Sequence, residues 1–204
     1  TDKSLEESFN FFCMEIQPKM QPYADALNKK LIACPYTAQL NQSAYFTYLR
    51  SVKKSIELFR EENIPIQAEL SVLQQQYGTI AGKMTIQFKE QEYTLQQAAQ
   101  FLESPDRAIR EEVYLKIQER RLQDQTSMHD LFSSLIQKRN QVAINAGFAN
   151  YRDYKFQELG RFDYAKEDCY QFHEAIKLHV LPLIDKIYAR KKKKLGLTTL
   201  KPWD

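Results

Sequence analysis

The chain has 204 residues, a formal net charge of +3, five glycines and three cysteines. That length buries a core without staples, and so few glycines speak against a nucleotide-binding α/β fold. The odd set Cys13, Cys34 and Cys169 forms no paired framework and points to a reducing compartment. No run is long enough to span a bilayer and no basic-then-apolar leader is visible, so a cytoplasmic location with no membrane partner is expected, and a charge of only +3 with acidic residues interleaved on the same helices argues against nucleic acid.

Residues 4–33 carry Leu5, Phe9, Phe12, Ile16, Met20 and Leu27 at helical spacing, which predicts one inward stripe, kinked or divided at Pro18 and Pro22. Cys34 precedes Pro35 and is expected outside the helix. Asn41 or Ser43 caps a helix to residue 62, with Phe46, Leu49, Val52 or Lys53, Ile56 and Phe59 inward. Another helix covers 65–77, with Ile66, Leu70, Leu73 and Tyr77 inward. Tyr45, Tyr48 and Tyr77 read better as packed tyrosines than as substrate contacts.

Met84, Ile86 and Phe88 alternate with Thr85 and Gln87, a period of two. Lys89-Glu90-Gln91-Glu92 turns and Tyr93-Thr94-Leu95 returns, predicting one small β-hairpin around residues 83–95 that must lie on helices or borrow a strand. Thr94 and Gln97 have capping-box spacing for the helix 95–102. Ser104-Pro105-Asp106 then opens a helix to residue 146, with serine as cap and proline first. Its apolar set is Ile109, Val113, Ile117, Met128, Leu131, Phe132, Leu135, Ile136, Val142, Ala143 and Ala146. The stretch 118–125 is poor in apolar residues, so a solvated middle or kink, not a domain boundary, is expected there, and Gly147 is placed to stop the helix.

A short helix is expected around Tyr151–Gln157 and a long one over Lys166–Leu195, bent at Pro182. The latter's inward set is Tyr170, Ile176, Val180, Leu183 or Ile184, and Ile187. Arg190-Lys191-Lys192-Lys193-Lys194 suits the carbonyl end of that helix. The chain stops on Trp203-Asp204; an indole needs something to pack on, and the ending reads as a cut chain. The fold class is mainly α, a multi-helical array with one hairpin, and lobes 1–102 and 103–204 are a natural division.

For chemistry, His-Glu-x-x-His is absent; that motif sets two imidazoles one helical turn apart on a metal. His173 and His179 lie roughly 600° apart around a helix. Cys169 and His173 share a face but have no third ligand in view, so no metal site is expected in this chain. Arg107 and Glu111 are placed to pair, and Arg110 to pair with Asp106 or Glu111. Arg139 reads as an anchor for a buried carboxylate or carbonyl. Tyr151, Arg152, Tyr154, Arg161, Asp163 and Tyr164 are either a polar knot fixing an irregular connection or the lip of a peptide cleft.

Arg139-Asn140-Gln141-Val142-Ala143, Ala146-Gly147-Phe148, Asn150-Tyr151-Arg152-Asp153-Tyr154 and Arg161-Phe162-Asp163-Tyr164 resemble the oligoendopeptidase F family of thimet-like zinc metallopeptidases. Tyr93-Thr94-Leu95, Ser104-Pro105-Asp106-Arg107 with Arg110-Glu111-Glu112, and Leu200-Lys201-Pro202-Trp203-Asp204 are similar to it in the same order. The resemblance covers nearly the whole chain. It implies a helical amino-terminal region, residues 1–204, forming the wall of a cleft, with the catalytic zinc segment lacking. The parent would be an intracellular metalloendopeptidase that hydrolyses oligopeptides with one zinc ion, and this chain alone would be inactive. Tyr151, Tyr154, Arg161 and Tyr164 become the substrate-cleft candidates. The implied partners are the carboxyl-terminal catalytic segment and oligopeptides, with self-association of the fragment through an exposed apolar face. The competing reading is a stand-alone helical module that binds peptides or proteins.

Overall fold

The computed structural model describes residues 3–204 and is mainly helical, with one two-stranded antiparallel sheet among the described residues. The chain forms two compact units. One takes the residues up to Gly82 and then Thr126–Phe162; the other takes Lys83–Gln125 and Asp163–Asp204.

The first unit begins with α1 (Lys3–Phe11), which runs through a π turn (Phe12–Ile16) into α2 (Gln17–Ala33). The π turn sits just before Pro18, and the Gln17 N–H reaches back five residues to the Phe12 carbonyl. A proline lacks the N–H for an ordinary helical bond and its ring crowds the preceding turn; the wider π turn makes room. Pro22 remains inside α2. Cys34 is extended, as its proline neighbour demands, and a 3₁₀ turn follows over Pro35–Gln39. Asn41, not Ser43, caps α3 (Gln42–Leu58), accepting from the Ala44 N–H at 3.0 Å. Leu49 and Val52 are buried there, while Phe46 is exposed. After it come α4 (Asn63–Gly82), longer than its sequence pattern suggests because Gly78 stays helical, α7 (Gln125–Asn145) and α8 (Tyr151–Glu158).

The core of this unit joins Leu58, Leu70, Leu131, Leu135, Val142, Ala143, Ala146 and Tyr154. Burying a leucine- or valine-sized side chain is worth about 1.5–3 kcal/mol. Inside lies one polar device that periodicity does not reveal. Asn63 donates from Nδ2 to the Val142 carbonyl at 3.0 Å and accepts from Asn145 Nδ2 at 2.8 Å, tying the start of α4 to the end of α7. Gly147 closes α7 at φ 86°. Its N–H bonds the Ile144 carbonyl and the Phe148 N–H bonds the Ala143 carbonyl, both at 2.9 Å, the paired bonds of a left-handed helix stop.

The second unit opens with the hairpin β1 (Thr85–Phe88) and β2 (Gln91–Thr94). Lys89 and Glu90 alone make the turn, both at positive φ, and Gln91-Glu92 belong to the returning strand. Thr85 pairs with Thr94 and Phe88 with Gln91. Ile86 and Phe88 face inward against Val113, Ile117 and Ala98, so the hairpin lies on helices as its length requires. The Thr94–Gln97 capping box opens α5 (Leu95–Ala98), which tightens into a 3₁₀ turn over Ala99–Glu103. The cap of α6 (Arg107–Gln123) is Asp106, not Ser104; its carboxylate accepts from the Ala108 N–H at 2.9 Å, and Ser104 Oγ accepts from the Asp106 N–H at 3.2 Å. The apolar-poor stretch ends in a break at Asp124, which separates α6 from α7; contrary to the expectation of a mere kink, the division between the two units falls here, after Gln125.

The last long helix is α9 (Lys166–Ala175), a second π turn (Ile176–Val180) and α10 (Leu181–Leu195). This π turn again precedes a proline, Pro182, and the Leu181 N–H reaches the Ile176 carbonyl. The expected inward stripes of the first and last helices are not inward. Leu5, Phe9, Phe12, Ile16, Met20 and Leu27 are exposed, as are Tyr170, Val180, Leu183 and Ile187, with Ile176 and Ile184 half-buried. Tyr45, Tyr48 and Tyr77 are exposed as well, against the expectation that they pack. Periodicity records that a face is apolar; it does not say that the covering surface is among these residues. No described helix is long and apolar enough to cross a membrane.

Candidate functional site

The residues after Gly147 shape a pocket in the first unit. Asn150 caps α8, accepting from the Asp153 N–H at 3.0 Å and donating to Asp153 Oδ2 at 2.9 Å. Fixed this way, α8 sends Tyr154 into the core, where it is 3% exposed. Tyr154 stacks on Tyr151 with centroids 6.0 Å apart and meets Phe148 edge-on at 5.7 Å. Gly160, at φ 66°, then ends α8 with the same paired stop as Gly147, and the chain turns to Phe162.

Between this turn and α3 is a cavity of about 240 Å³. Ser51, Lys54, Ser55 and Phe59 line one side, and Tyr154, Gln157, Glu158 and Phe162 the other, with Gln67 and Leu58 between. Lys54 pairs with Glu57 and Lys155 with Glu158, so the charges at its edge are already matched. Burial first, then the Glu158 carboxylate and neighbouring Tyr151, push the Tyr154 phenol up to about 12. It therefore stays a neutral donor, 3.5 Å from Glu158 Oε1. The hydroxyls of Ser51 and Ser55 donate to the carbonyls one turn back, at 2.9 and 3.0 Å. The cavity offers apolar walls and polar edges, the composition of a site that holds a ligand.

The four sequence candidates fall in different surroundings. Tyr154 lines the cavity, and half-buried Tyr151 backs it. Arg161 is exposed, its guanidinium 5.1 Å from the Phe156 ring. Tyr164 is exposed and belongs to the second unit. The polar knot exists in part: Asn150, Arg152 and Asp153 are bonded together. Arg139 stands 5.9 Å over the Tyr151 ring, and its buried Nε has no hydrogen-bond partner among the described residues. The α3 side of the cavity was missed from sequence. Its only signal there is a serine pair, Ser51 and Ser55, one helical turn apart.

In the second unit, the end of the chain returns to the start of α6. Arg107 Nε donates to Asp204 Oδ1 at 2.6 Å and Nη1 to Glu111 at 2.9 Å. Arg110 does not pair with Asp106 or Glu111; it donates to the Trp203 carbonyl at 2.6 Å and the Ser104 carbonyl at 2.7 Å. Trp203 packs on Tyr114, centroids 5.4 Å apart. The hydrogen bond from Arg107, aided by the Lys201 N–H, holds the Asp204 carboxyl below the usual carboxylate range. Ser104-Pro105-Asp106-Arg107 and Lys201-Pro202-Trp203-Asp204, far apart in sequence, are thus one latch.

No cluster of three His, Cys, Asp or Glu side chains that would hold a metal ion occurs among the described residues. A zinc ion therefore does not fit this set of side chains. Residues 100–204 match peptidase family M3, and residues 1–59 match the peptidase M3 N-terminal domain. The chain belongs to peptidase family M3. This M3 chain is similar over its whole length to crystal structures of two proteins assigned as oligoendopeptidase F. One is 22% identical; the other, from Bacillus anthracis strain Ames, is 20% identical, and both give a TM-score of 0.92. PZ peptidase A with an inhibitor gives the same TM-score at 22% identity. The M3 chain spans 36–37% of the length of those proteins. No curated protein matches it. The stretch that matches family M3 contains both halves of the Arg107–Asp204 latch.

Proposed function

We propose that this chain is the cleft-forming, non-catalytic part of a cytoplasmic zinc metalloendopeptidase that hydrolyses oligopeptides. The observation that carries the reading is the M3 match across a chain that spans about a third of its structural relatives and has no His-Glu-x-x-His motif. In the whole protein the zinc and the catalytic glutamate would belong to the remaining two-thirds. This chain's residues would bind and orient. Arg161 and Tyr164 are exposed enough to meet a peptide directly, while Tyr154 and Tyr151 stiffen the cavity wall within the first unit. The exposed stripes of α1–α2 and α9–α10 support the same reading, because contiguous exposed apolar faces tend to mark contact surfaces.

The test is reconstitution. The coding sequence beyond Asp204 is read, and its product is expressed as a second chain and mixed with this one. The chain alone should leave a fluorogenic oligopeptide intact with or without added zinc, and the mixture should cleave it in a chelator-sensitive way. Chelator-sensitive turnover by the chain alone would overturn the reading. So would a gene that stops after Asp204, which would favour the stand-alone binding module.

A further inference from the structure

We infer that the cavity between α3 and α8 is a specificity pocket that takes one uncharged aromatic side chain, phenylalanine or tyrosine, of a bound peptide. The inference rests on the peptide reading above for the source of that ring, and on the cavity itself for its chemistry. Ser51, Ser55 and Leu58 are spaced four and three apart, so they share a face of α3. Tyr154, Gln157 and Glu158 share a face of α8 in the same way. The short side chains of the two serines leave a gap that a larger residue would fill.

Size limits the occupant. A cavity of about 150 Å³ admits benzene, and this one, at about 240 Å³, admits a phenyl or phenol ring. Its apolar walls favour a ring. Phe59 and Phe162 line it together with Tyr154 and Leu58. Both phenylalanine rings are held from outside: Lys29 Nζ lies 5.8 Å from the Phe59 centroid, and the Arg50 guanidinium 4.5 Å from that of Phe162. Rings fixed in advance lose little freedom when another ring packs on them, and aromatic pairs gain beyond the area they bury. Charge selects a neutral occupant. Lys54 and Glu158 are the ionised side chains of the lining, one of each sign, and each is matched three residues away on its own helix, by Glu57 and Lys155. Lys29 is paired with Asp25, and Arg50 is not without a partner either. An ionised side chain would find nothing here to neutralise it, and burying one unpaired is costly. The side-chain amide of half-buried Gln157 makes no hydrogen bond among the described residues, so a tyrosine hydroxyl has a group to meet. A notch that merely holds water predicts no preference among peptides.

The test needs neither zinc nor hydrolysis, so its failure leaves the peptidase reading, which is decided by reconstitution, untouched. The isotope-labelled 204-residue chain is titrated by NMR with blocked Gly-Tyr-Gly and with the same peptide carrying phenylalanine, alanine, aspartate or lysine at its centre. The expected result is saturable shifts of the Ser51, Ser55 and Gln157 amides with the two aromatic peptides. The other three should bind roughly tenfold more weakly or not at all, through the lost burial of the ring. Ser55→Leu fills the gap and should abolish binding; Ser51→Leu is an independent second filling, and circular dichroism checks that each variant keeps its helices. Unshifted amides at millimolar tyrosine peptide would overturn the assignment. Equal binding of the alanine peptide or of a charged one, or an affinity unchanged in both filled variants, would do the same.

Discussion

Asn63→Ala should cost the first unit about 2 kcal/mol. The side chain is 2% exposed and makes two hydrogen bonds, to the Val142 carbonyl and from the Asn145 amide. Each such bond is worth about 0.5–1.5 kcal/mol net. The penalty for orphaned partners is small, because the Val142 carbonyl keeps the Ala146 N–H at 3.2 Å and the freed Nδ2 of half-buried Asn145 is near enough to the surface to turn to water. With a urea m-value of about 2 kcal/mol/M, the midpoint should fall by about 1 M. Asn63→Asp should cost more at neutral pH, since it removes the donor and sets a buried carboxylate against a carbonyl oxygen. Burial raises the folded pKa of that new carboxyl above its unfolded value. The loss is therefore full above the folded pKa and shrinks as pH falls through it. Far-UV circular dichroism follows the melt, and amide exchange in α4 and α7 reports the unit locally, since two units need not unfold together. Asn140→Ala, at an exposed position on α7, is the control. A midpoint for Asn63→Ala no lower than that of the control would refute the reasoning.

Trp203 is the sole tryptophan, so its fluorescence reports the latch. Arg107→Ala should shift its emission to the red. Because the folded Asp204 pKa is lowered, the ion pair's contribution is full above the ordinary carboxylate value and is lost as pH falls through the folded one, so acid should give the same shift. An emission spectrum unmoved by both treatments would sink the latch. Gly147→Ala, at φ 86°, should destabilise by about 1–2 kcal/mol, measured by thermal melting; a neutral result would contradict the left-handed stop. The isolated chain should self-associate in light scattering, and Ile187→Lys, on an exposed apolar face, should reduce this. A wild-type chain that stays monomeric at high concentration would count against an adhesive face.

The hairpin was legible because Ile86 and Phe88 alternate with polar residues, a signal that survives any packing. The Thr94–Gln97 cap and the Gly147 stop were legible because each is a local bond pattern with fixed spacing. The lack of apolar residues around Asp124 foreshadowed a kink, but not that the two units divide there. What could not be read was anything set by a distant partner. Arg110 was matched to nearby carboxylates, and its real acceptors include the Trp203 carbonyl, 93 residues away. Asn63, which falls between the two helices expected to end at residue 62 and start at 65, proved to be a buried tie. The cavity depends on α3 and α8 facing each other, which no single stretch encodes. The first and last helices showed the limit of amphipathic reasoning: their stripes are real, and nothing in the sequence says which surface covers them.

The two π turns share a layout: five residues, one spacer, then proline, at Phe12–Pro18 and at Ile176–Pro182. Each accommodates an extra residue in a helix that otherwise advances 100° per position. Side chains on either side of the turn are thereby thrown out of phase, so one helix presents two differently aimed faces without a loop between them. Removing a single residue there, such as Glu15 or His179, would restore the phase and swing everything upstream by about a quarter turn. These are points where a one-residue deletion need not break the helix yet would re-aim an entire contact surface.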